Sequence, residues 1–167
     1  MKNAYVLAGM AAVCALAGRS FGQCALSFAA PASFASGLDV TAIAAADLDG
    51  DGNMDIVAAN FGAGTVSSLL GDGGGSFASA WTFATGAGPV SVATGDWNGD
   101  GVADIVTANV DGNSLSVLIG DGNGGFLGAT HLPGFSTPVF VETGDVNSDG
   151  DADLIVAIQG DSTIGIL

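Results

Sequence analysis

Beyond residue 37 the chain alternates short apolar runs with clusters of glycine, aspartate and asparagine. Thr41, Ile43 and Ala45 alternate with their neighbours, and the spacing returns at Val90, Val92 and Thr94 and at Val139, Val141 and Thr143. Such alternation predicts a strand. An acidic loop follows each of these, then a continuous apolar run at 56–60, 105–109 and 154–158, as expected of a strand covered on both faces. Turns rich in Gly, Asn and Asp at 62–64, 111–114 and 160–162 lead to a third strand at 66–70, 115–119 and 164–167. The glycine-rich turns GDGGGSF (71–77) and GDGNGGF (120–126) accept positive φ and precede a fourth strand near 77–83 and 126–132. No stretch of this region has the 3.6-residue period of a helix.

The pattern is a repeat. DLDGDGNMDIVAAN (47–60) returns as DWNGDGVADIVTAN (96–109) and DVNSDGDADLIVAI (145–158), at a gapless spacing of 49 residues. Residues 47–95 and 96–144 share 22 identical positions of 49. Four short antiparallel strands per unit of this length predict β-propeller blades; a β-solenoid uses much shorter repeats. The expected fold is all-β, a partial propeller of about three blades. Repeat 1 spans 38–86, repeat 2 spans 87–135, and an incomplete repeat 3 spans 136–167. Phe28 and Phe34 precede Phe77 and Phe83 by one period, so 26–34 reads as a lone fourth strand within an N-terminal segment at 23–37. Repeat 3 stops inside its third strand. A lone outer strand and a blade without one are complementary, which is how propellers commonly close. Three blades fall below the four or so of the smallest propellers. The expectation is therefore a longer chain, favoured because repeat arrays need capped ends, or a ring closed by self-association of several chains.

Composition changes the picture first at the N-terminus. Lys2, an apolar stretch from 4 to 17, and small residues around Ser20 and Gly22 follow the order of a secretory signal peptide, expected over 1–22. Gly18 and Arg19 end the apolar run too early for a membrane-spanning helix, which wants about 20 apolar residues. Lys2 and Arg19 are the only basic residues, and all 17 acids lie beyond them. Once that leader is removed the chain has no Lys or Arg with which to neutralise phosphates, which argues against nucleic acid and anionic membrane surfaces as partners. The expected location is extracellular or at the cell surface. Cys24 alone closes no internal disulfide, and Gln23 before it does not suit a lipid-anchored cysteine.

The acids are arranged rather than scattered. Each repeat carries a nine-residue loop, D-x-[DN]-x-D-G-x-x-D, and the three loops hold 11 of the 17 acids. Side-chain oxygens at positions 1, 3, 5 and 9, with a backbone carbonyl at 7, can surround one Ca²⁺, which takes six to eight oxygen ligands. The first set is Asp47, Asp49, Asp51 and Asp55 with the carbonyl of Asn53. The second is Asp96, Asn98, Asp100 and Asp104 with Val102, and the third Asp145, Asn147, Asp149 and Asp153 with Asp151. Gly52, Gly101 and Gly150 at position 6 permit the sharp turn. Without a cation so many carboxylates repel. Magnesium disfavours such dense protein cages, and zinc or copper would want His or Cys. An EF-hand needs an acid at position 12, where Ala58, Thr107 and Val156 stand.

With its DxDGDGxxDIVxAN segments, its GDGxGxF turns and the pairs Pro89-Val90 and Pro138-Val139, the sequence resembles the FG-GAP, or VCBS, repeat family. Its best-known members build the headpiece propeller of integrin α-subunits. The resemblance covers 38–167 and implies a calcium-bearing propeller, about one Ca²⁺ per repeat, used outside the cell in adhesion or in binding a protein or glycan. Two departures are Ser148, where the other loops have glycine, and the missing full ring.

Nothing in the sequence points to catalysis. His131 is the only histidine and reads as a surface residue on a fourth strand; Glu142, the sole Glu, could line a central channel or meet solvent. Trp81, Trp97 and Phe140 have no counterpart in the other repeats and read as core or rim packing rather than as ligand-facing aromatic contacts. The leading expectation is a non-catalytic binding or adhesion module. The alternatives are a purely structural surface repeat and the propeller part of a larger extracellular enzyme, lyase- or phospholipase-like.

Overall fold

The computed structural model describes residues 30–167; the expected leader at 1–22 and Cys24 lie outside them. Residues 33–167 form one compact unit. Its first sheet comprises β1 (Val40–Ala46), β2 (Asp55–Asn60), β3 (Thr65–Leu69) and β4 (Trp81–Ala84). The second comprises β5 (Pro89–Gly95), β6 (Asp104–Asn109), β7 (Ser114–Leu118) and β8 (Thr130–Pro133), and the third β9 (Pro138–Gly144), β10 (Asp153–Ile158) and β11 (Thr163–Ile166). Each sheet is an antiparallel meander in chain order, with four, four and three strands. The expected all-β blades are what the chain forms.

The period-two expectation for the first strand of each blade is modified by a bulge. Val40 faces Asn60 while Ala42 faces Ala59, leaving Thr41 extra. Pro89 and Ser91 repeat this against Asn109 and Ala108, and Pro138 and Phe140 against Ile158 and Ala157. Proline, which has no N–H for a ladder, is tolerated at a strand start or bulge. Just before the bulge, Asp39, Gly88 and Thr137 all have left-handed φ, at 56, 66 and 53°. Their carbonyls accept the N–H groups of Phe61, Val110 and Gln159 at 2.9–3.0 Å, tying each first strand to the end of the second.

The blades stack through their first strands. Thr41 Oγ1 donates to the Pro89 carbonyl (2.9 Å), Val141 N donates to Ser91 Oγ (3.2 Å), and Thr143 Oγ1 donates to the Thr94 carbonyl (3.0 Å). Blade 2 is covered on both sides, so every residue of β6 is buried; that is why its sequence runs without polar alternation. One apolar layer joins blades 1 and 2 through Leu48, Val57, Val66, Val92, Ile105 and Phe126, and a second joins blades 2 and 3 through Val106, Leu115, Val141, Leu154 and Val156.

The end of each middle strand carries a lock. Asn109 Nδ2 donates to Ser114 Oγ (3.2 Å) and Ser116 Oγ (2.8 Å), and its Oδ1 accepts from Thr107 Oγ1 (2.8 Å). Gly86 lies so close that an added Cβ would stand 2.6 Å from Asn109. Asn60 makes the same contacts to Thr65 and Ser67, under Gly37. Blade 3 exchanges three of these residues: Ile158 replaces the asparagine, Phe135 the glycine above it and Gly165 the serine at Ser116's position. Phe135 and Ile158 pack on the apolar layer instead.

Three sequence expectations differ from the structure. The fourth strands begin at Trp81 and Thr130 rather than at 77 and 126. Phe77 and Phe126 make single bridges to Gly71 and Gly120, and Phe126 turns into the inter-blade layer edge-on to Phe83, 5.2 Å between centroids. Residues 30–34 of the expected N-terminal outer strand carry no ladder, because no third strand stands beside them in this chain, and 26–29 lie outside the described residues. A one-turn 3-10 helix, Phe61–Ala63, occupies the first inter-strand turn, where no helical element was expected.

The locks yield one prediction. Asn60 Oδ1 is buried without a partner, because Ala58 stands where Thr107 supplies the donor in blade 2. Ala58→Thr restores that hydrogen bond and should raise unfolding stability by about 1 kcal/mol, read from denaturant unfolding.

Candidate metal loops

The three acidic loops connect the first and second strands of their blades, so all three lie at one end of the sheets. Position 1 organises each loop from its own backbone. Asp47 accepts Gly50 N on Oδ1 (2.8 Å) and Gly52 N on Oδ2 (3.0 Å). Asp96 accepts Gly99 N and Gly101 N at 2.8 and 2.9 Å. Asp145 accepts Ser148 N and Gly150 N at 2.6 and 3.0 Å. These bonds need left-handed residues at positions 4 and 6. Gly52, Gly101 and Gly150 have φ of 85, 83 and 95°, and Ser148 holds 64° where Gly50 and Gly99 hold 75 and 74°. The serine thus keeps the turn at a steric cost that glycine avoids.

Positions 3 and 5 continue the ladder. Asp49, Asn98 and Asn147 accept the N–H of Asp51, Asp100 and Asp149 at 3.1, 2.9 and 2.8 Å. Asp51, Asp100 and Asp149 accept the N–H of Asn53, Val102 and Asp151 at 2.7, 2.8 and 2.9 Å.

Position 9 has a second task that sequence spacing did not reveal. Asp55 is fully buried; its Oδ2 accepts Leu48 N (2.8 Å) and its Oδ1 accepts Gly71 N (2.7 Å). Asp104, equally buried, does the same with Trp97 N (3.1 Å) and Gly120 N (2.9 Å). One carboxylate therefore joins the acidic loop to the glycine-rich turn at the same end of the blade. In blade 3 Asp153 accepts Val146 N (2.9 Å) and sits only partly buried, since no glycine turn follows β11 among the described residues.

The structure brings Asp47, Asp49 and Asp55 together, with one oxygen of each within 4.8 Å of the others. Oxygens bound to one Ca²⁺ at 2.3–2.6 Å are separated by no more than about 5 Å, so this trio fits that ion. Asp51 does not join them; its Oδ2 accepts Asn53 Nδ2 at 2.8 Å. The second and third loops place an amide, Asn98 and Asn147, at position 3. Asp100 Oδ2 accepts Asn98 Nδ2 at 2.8 Å.

Two carboxyls are held below their ordinary pKa. Hydrogen bonds from Ser76 N and Gly74 N lower that of Asp72, in the first glycine-rich turn, and the bond from Gly101 N chiefly lowers that of Asp96.

Among the other singled-out residues, His131 Nδ1 lies 3.0 Å from Ser116 Oγ. That hydroxyl is fully buried and already accepts Gly86 N (2.9 Å) and Asn109 Nδ2 (2.8 Å). Its own proton goes to Nδ1, so His131 caps the Asn109 lock, and Ser116 has no spare lone pair for nucleophilic attack. Glu142 is exposed, opposite Ile155. Trp97 packs on the second apolar layer as expected. Trp81 and Phe140 do not pack inside: they are 49 and 51 % exposed, since β4 and β9 turn those faces to solvent.

The sequence model of the FG-GAP-like repeat matches residues 47–107 and 103–156. The chain belongs to the FG-GAP-like repeat family. No curated protein matches it. Solved structures similar to these FG-GAP-like repeats include TcdB2-TccC3 without its hypervariable C-terminal region and TcdB2-TccC3-Cdc42, each 22 % identical over 68 % of this chain, with TM-scores of 0.47 and 0.49. The chain spans 6 % of each of those chains.

Two predictions follow from the loop geometry. Asp104→Asn keeps the shape but turns an amide N–H₂ toward a backbone donor, leaving one buried N–H without an acceptor. The cost should be about 1–3 kcal/mol in EDTA, and Asp153→Asn, half-exposed, should cost less; equal losses would refute the two-sided tie. Asp72 has a folded pKa below its ordinary value of 3.8, so its stabilisation is present above that value and is lost as pH falls through the folded pKa. Asp72→Asn should accordingly destabilise at pH 7, and the difference from wild type should shrink below pH 3.8, measured by denaturant unfolding at a series of pH values.

Proposed function

We propose that the chain is a secreted, non-catalytic FG-GAP-like module whose three acidic loops each hold one Ca²⁺ and which serves extracellular binding or adhesion. The observation that carries the reading is the convergence of Asp47, Asp49 and Asp55 at calcium-ligand spacing, in a loop that the sequence repeats in the same register twice more. Asp145, Asn147, Asp149, Asp151 and Asp153 would supply the third site, and Asp96, Asn98, Asp100, Val102 and Asp104 the second. Asp51 would exchange its bond to Asn53 for the ion. All 17 acids lie beyond the last basic residue, Arg19, so bound cations are the natural compensation for their mutual repulsion. Asp55 and Asp104 already tie their loops to the blades, so an ion there would clamp the strand ends together. An extracellular protein or glycan would meet the loop end of the blades, whose shape the ions fix.

The test is calorimetric titration with calcium. About three sites per chain are expected, and at tenfold excess over the dissociation constant each independent site should add about 1.4 kcal/mol to stability. Asp51→Ala or Asp100→Ala should lower the stoichiometry by one. Absence of binding at about millimolar calcium would overturn the assignment.

A further inference from the structure

Blade 2 shows what each face of a blade looks like when a neighbour covers it, and blades 1 and 3 each leave one such face open. On the face that blade 2 turns to blade 1, Val92 is 7 % exposed; its counterpart in blade 1, Ile43, is 67 % exposed. On the face that blade 2 turns to blade 3, Leu115 is fully buried; its counterpart in blade 3, Ile164, is 72 % exposed. The two open faces thus correspond to the two halves of an interface that the chain already makes twice, with Glu142 of blade 3 at the rim position where blade 2 has Ala93.

The details match as well. Leu48 of blade 1 is buried beside Phe126 of blade 2, and its carbonyl accepts Gly124 N at 3.2 Å. The equivalent socket in blade 1, between Asn53, Gly73, Gly75 and Phe77, is an unfilled cleft of about 360 Å³. The equivalent knob in blade 3, Val146, stands out from its loop. The N-terminal segment supplies a third match. Phe34 packs edge-on against Phe77 at 5.1 Å, as Phe83 packs against Phe126 at 5.2 Å. Ser67 Oγ donates to the Ser36 carbonyl at 3.0 Å, and Gly37 sits over Asn60 as Gly86 sits over Asn109. Residues 34–37 therefore lie against blade 1 as the end of a preceding blade's fourth strand would, and among the described residues β11 is a third strand with no fourth.

We propose that two copies of this chain join head to tail, the open face of blade 3 in each packing on the open face of blade 1 in the other. The segment around Phe34 then becomes the outer strand of the other copy's third blade. By the register of β3 and β4, in which Thr65 faces Ala84 and Val66 faces Phe83, Thr163 would face Ala35 and Ile164 would face Phe34 of the other copy. Edge pairing of this kind supplies main-chain hydrogen bonds along with the apolar contact. Two copies together bring six such sheets, within the typical four to eight blades of a propeller, so the proposed ring closes with two chains. Closed head-to-tail rings are a standard outcome when the rotation between subunits permits.

The experiment is sedimentation equilibrium of the full chain and two variants. Wild type should have the mass of two chains. Ile43→Asp spoils one face and Ile164→Asp the other, so each variant alone should be monomeric. Mixed together, they retain one intact pair of faces and should form a dimer, which also shows that both are folded. A monomeric wild type at every concentration, a mass above two chains, or a mixture that stays monomeric would each overturn the proposal. This outcome is independent of calcium occupancy, which the titration above reads separately.

Discussion

A buried carboxylate with a backbone donor on each oxygen holds this architecture together. Asp55 and Asp104 are inaccessible to solvent, and no Lys or Arg exists beyond residue 19 to pair with them. An unpaired buried charge would be prohibitive. Each is accommodated because Leu48 and Gly71, or Trp97 and Gly120, aim their N–H groups at it. The same bonds fix two otherwise separate segments, the acidic loop and the glycine-rich turn. Everything at that end of the blade is positioned relative to one side chain. Blade 3, where a second backbone donor is not present among the described residues and only Asn147 Nδ2 reaches the other oxygen, shows the difference in the greater exposure of Asp153.

This dual use bears on how the loops would work as ion sites. Position 9 is held in place before any ion arrives, and position 1 is held by the turn glycines. Position 5 would be the part to move, since Asp51 and Asp100 are engaged with the neighbouring asparagines. A site with most ligands pre-set and one to recruit loses less conformational entropy on binding than a loop that must fold entirely.

Much of the fold was legible from spacing alone. The gapless 49-residue period located every first, second and third strand to within about two residues, because hydrophobic alternation and continuous apolar runs report which faces are covered. What escaped was set by contacts between segments. The bulge at Thr41, Val90 and Val139 depends on the loop bond behind it. The late start of β4 and β8 depends on Phe77 and Phe126 packing on a neighbouring element. Asp55 read as an ion ligand because its position in the motif is that of one; the N–H groups of Leu48 and Gly71 that occupy it are invisible to composition. Ser116 and His131, 15 residues apart, met only because β7 and β8 pair.

The exchange of Asn, Gly and Ser for Ile, Phe and Gly in blade 3 has a consequence for folding. Tandem repeats this alike invite mis-threading, in which a linker settles on the wrong blade and the chain assembles one unit out of step. Phe135 cannot settle over Asn109, where even a methyl group would collide at 2.6 Å. Gly86, laid over Ile158, would leave an unfilled hollow where an aromatic ring belongs. The one dissimilar junction among the described residues thus gives a nearly periodic sequence a mark that tells its third blade from the first two.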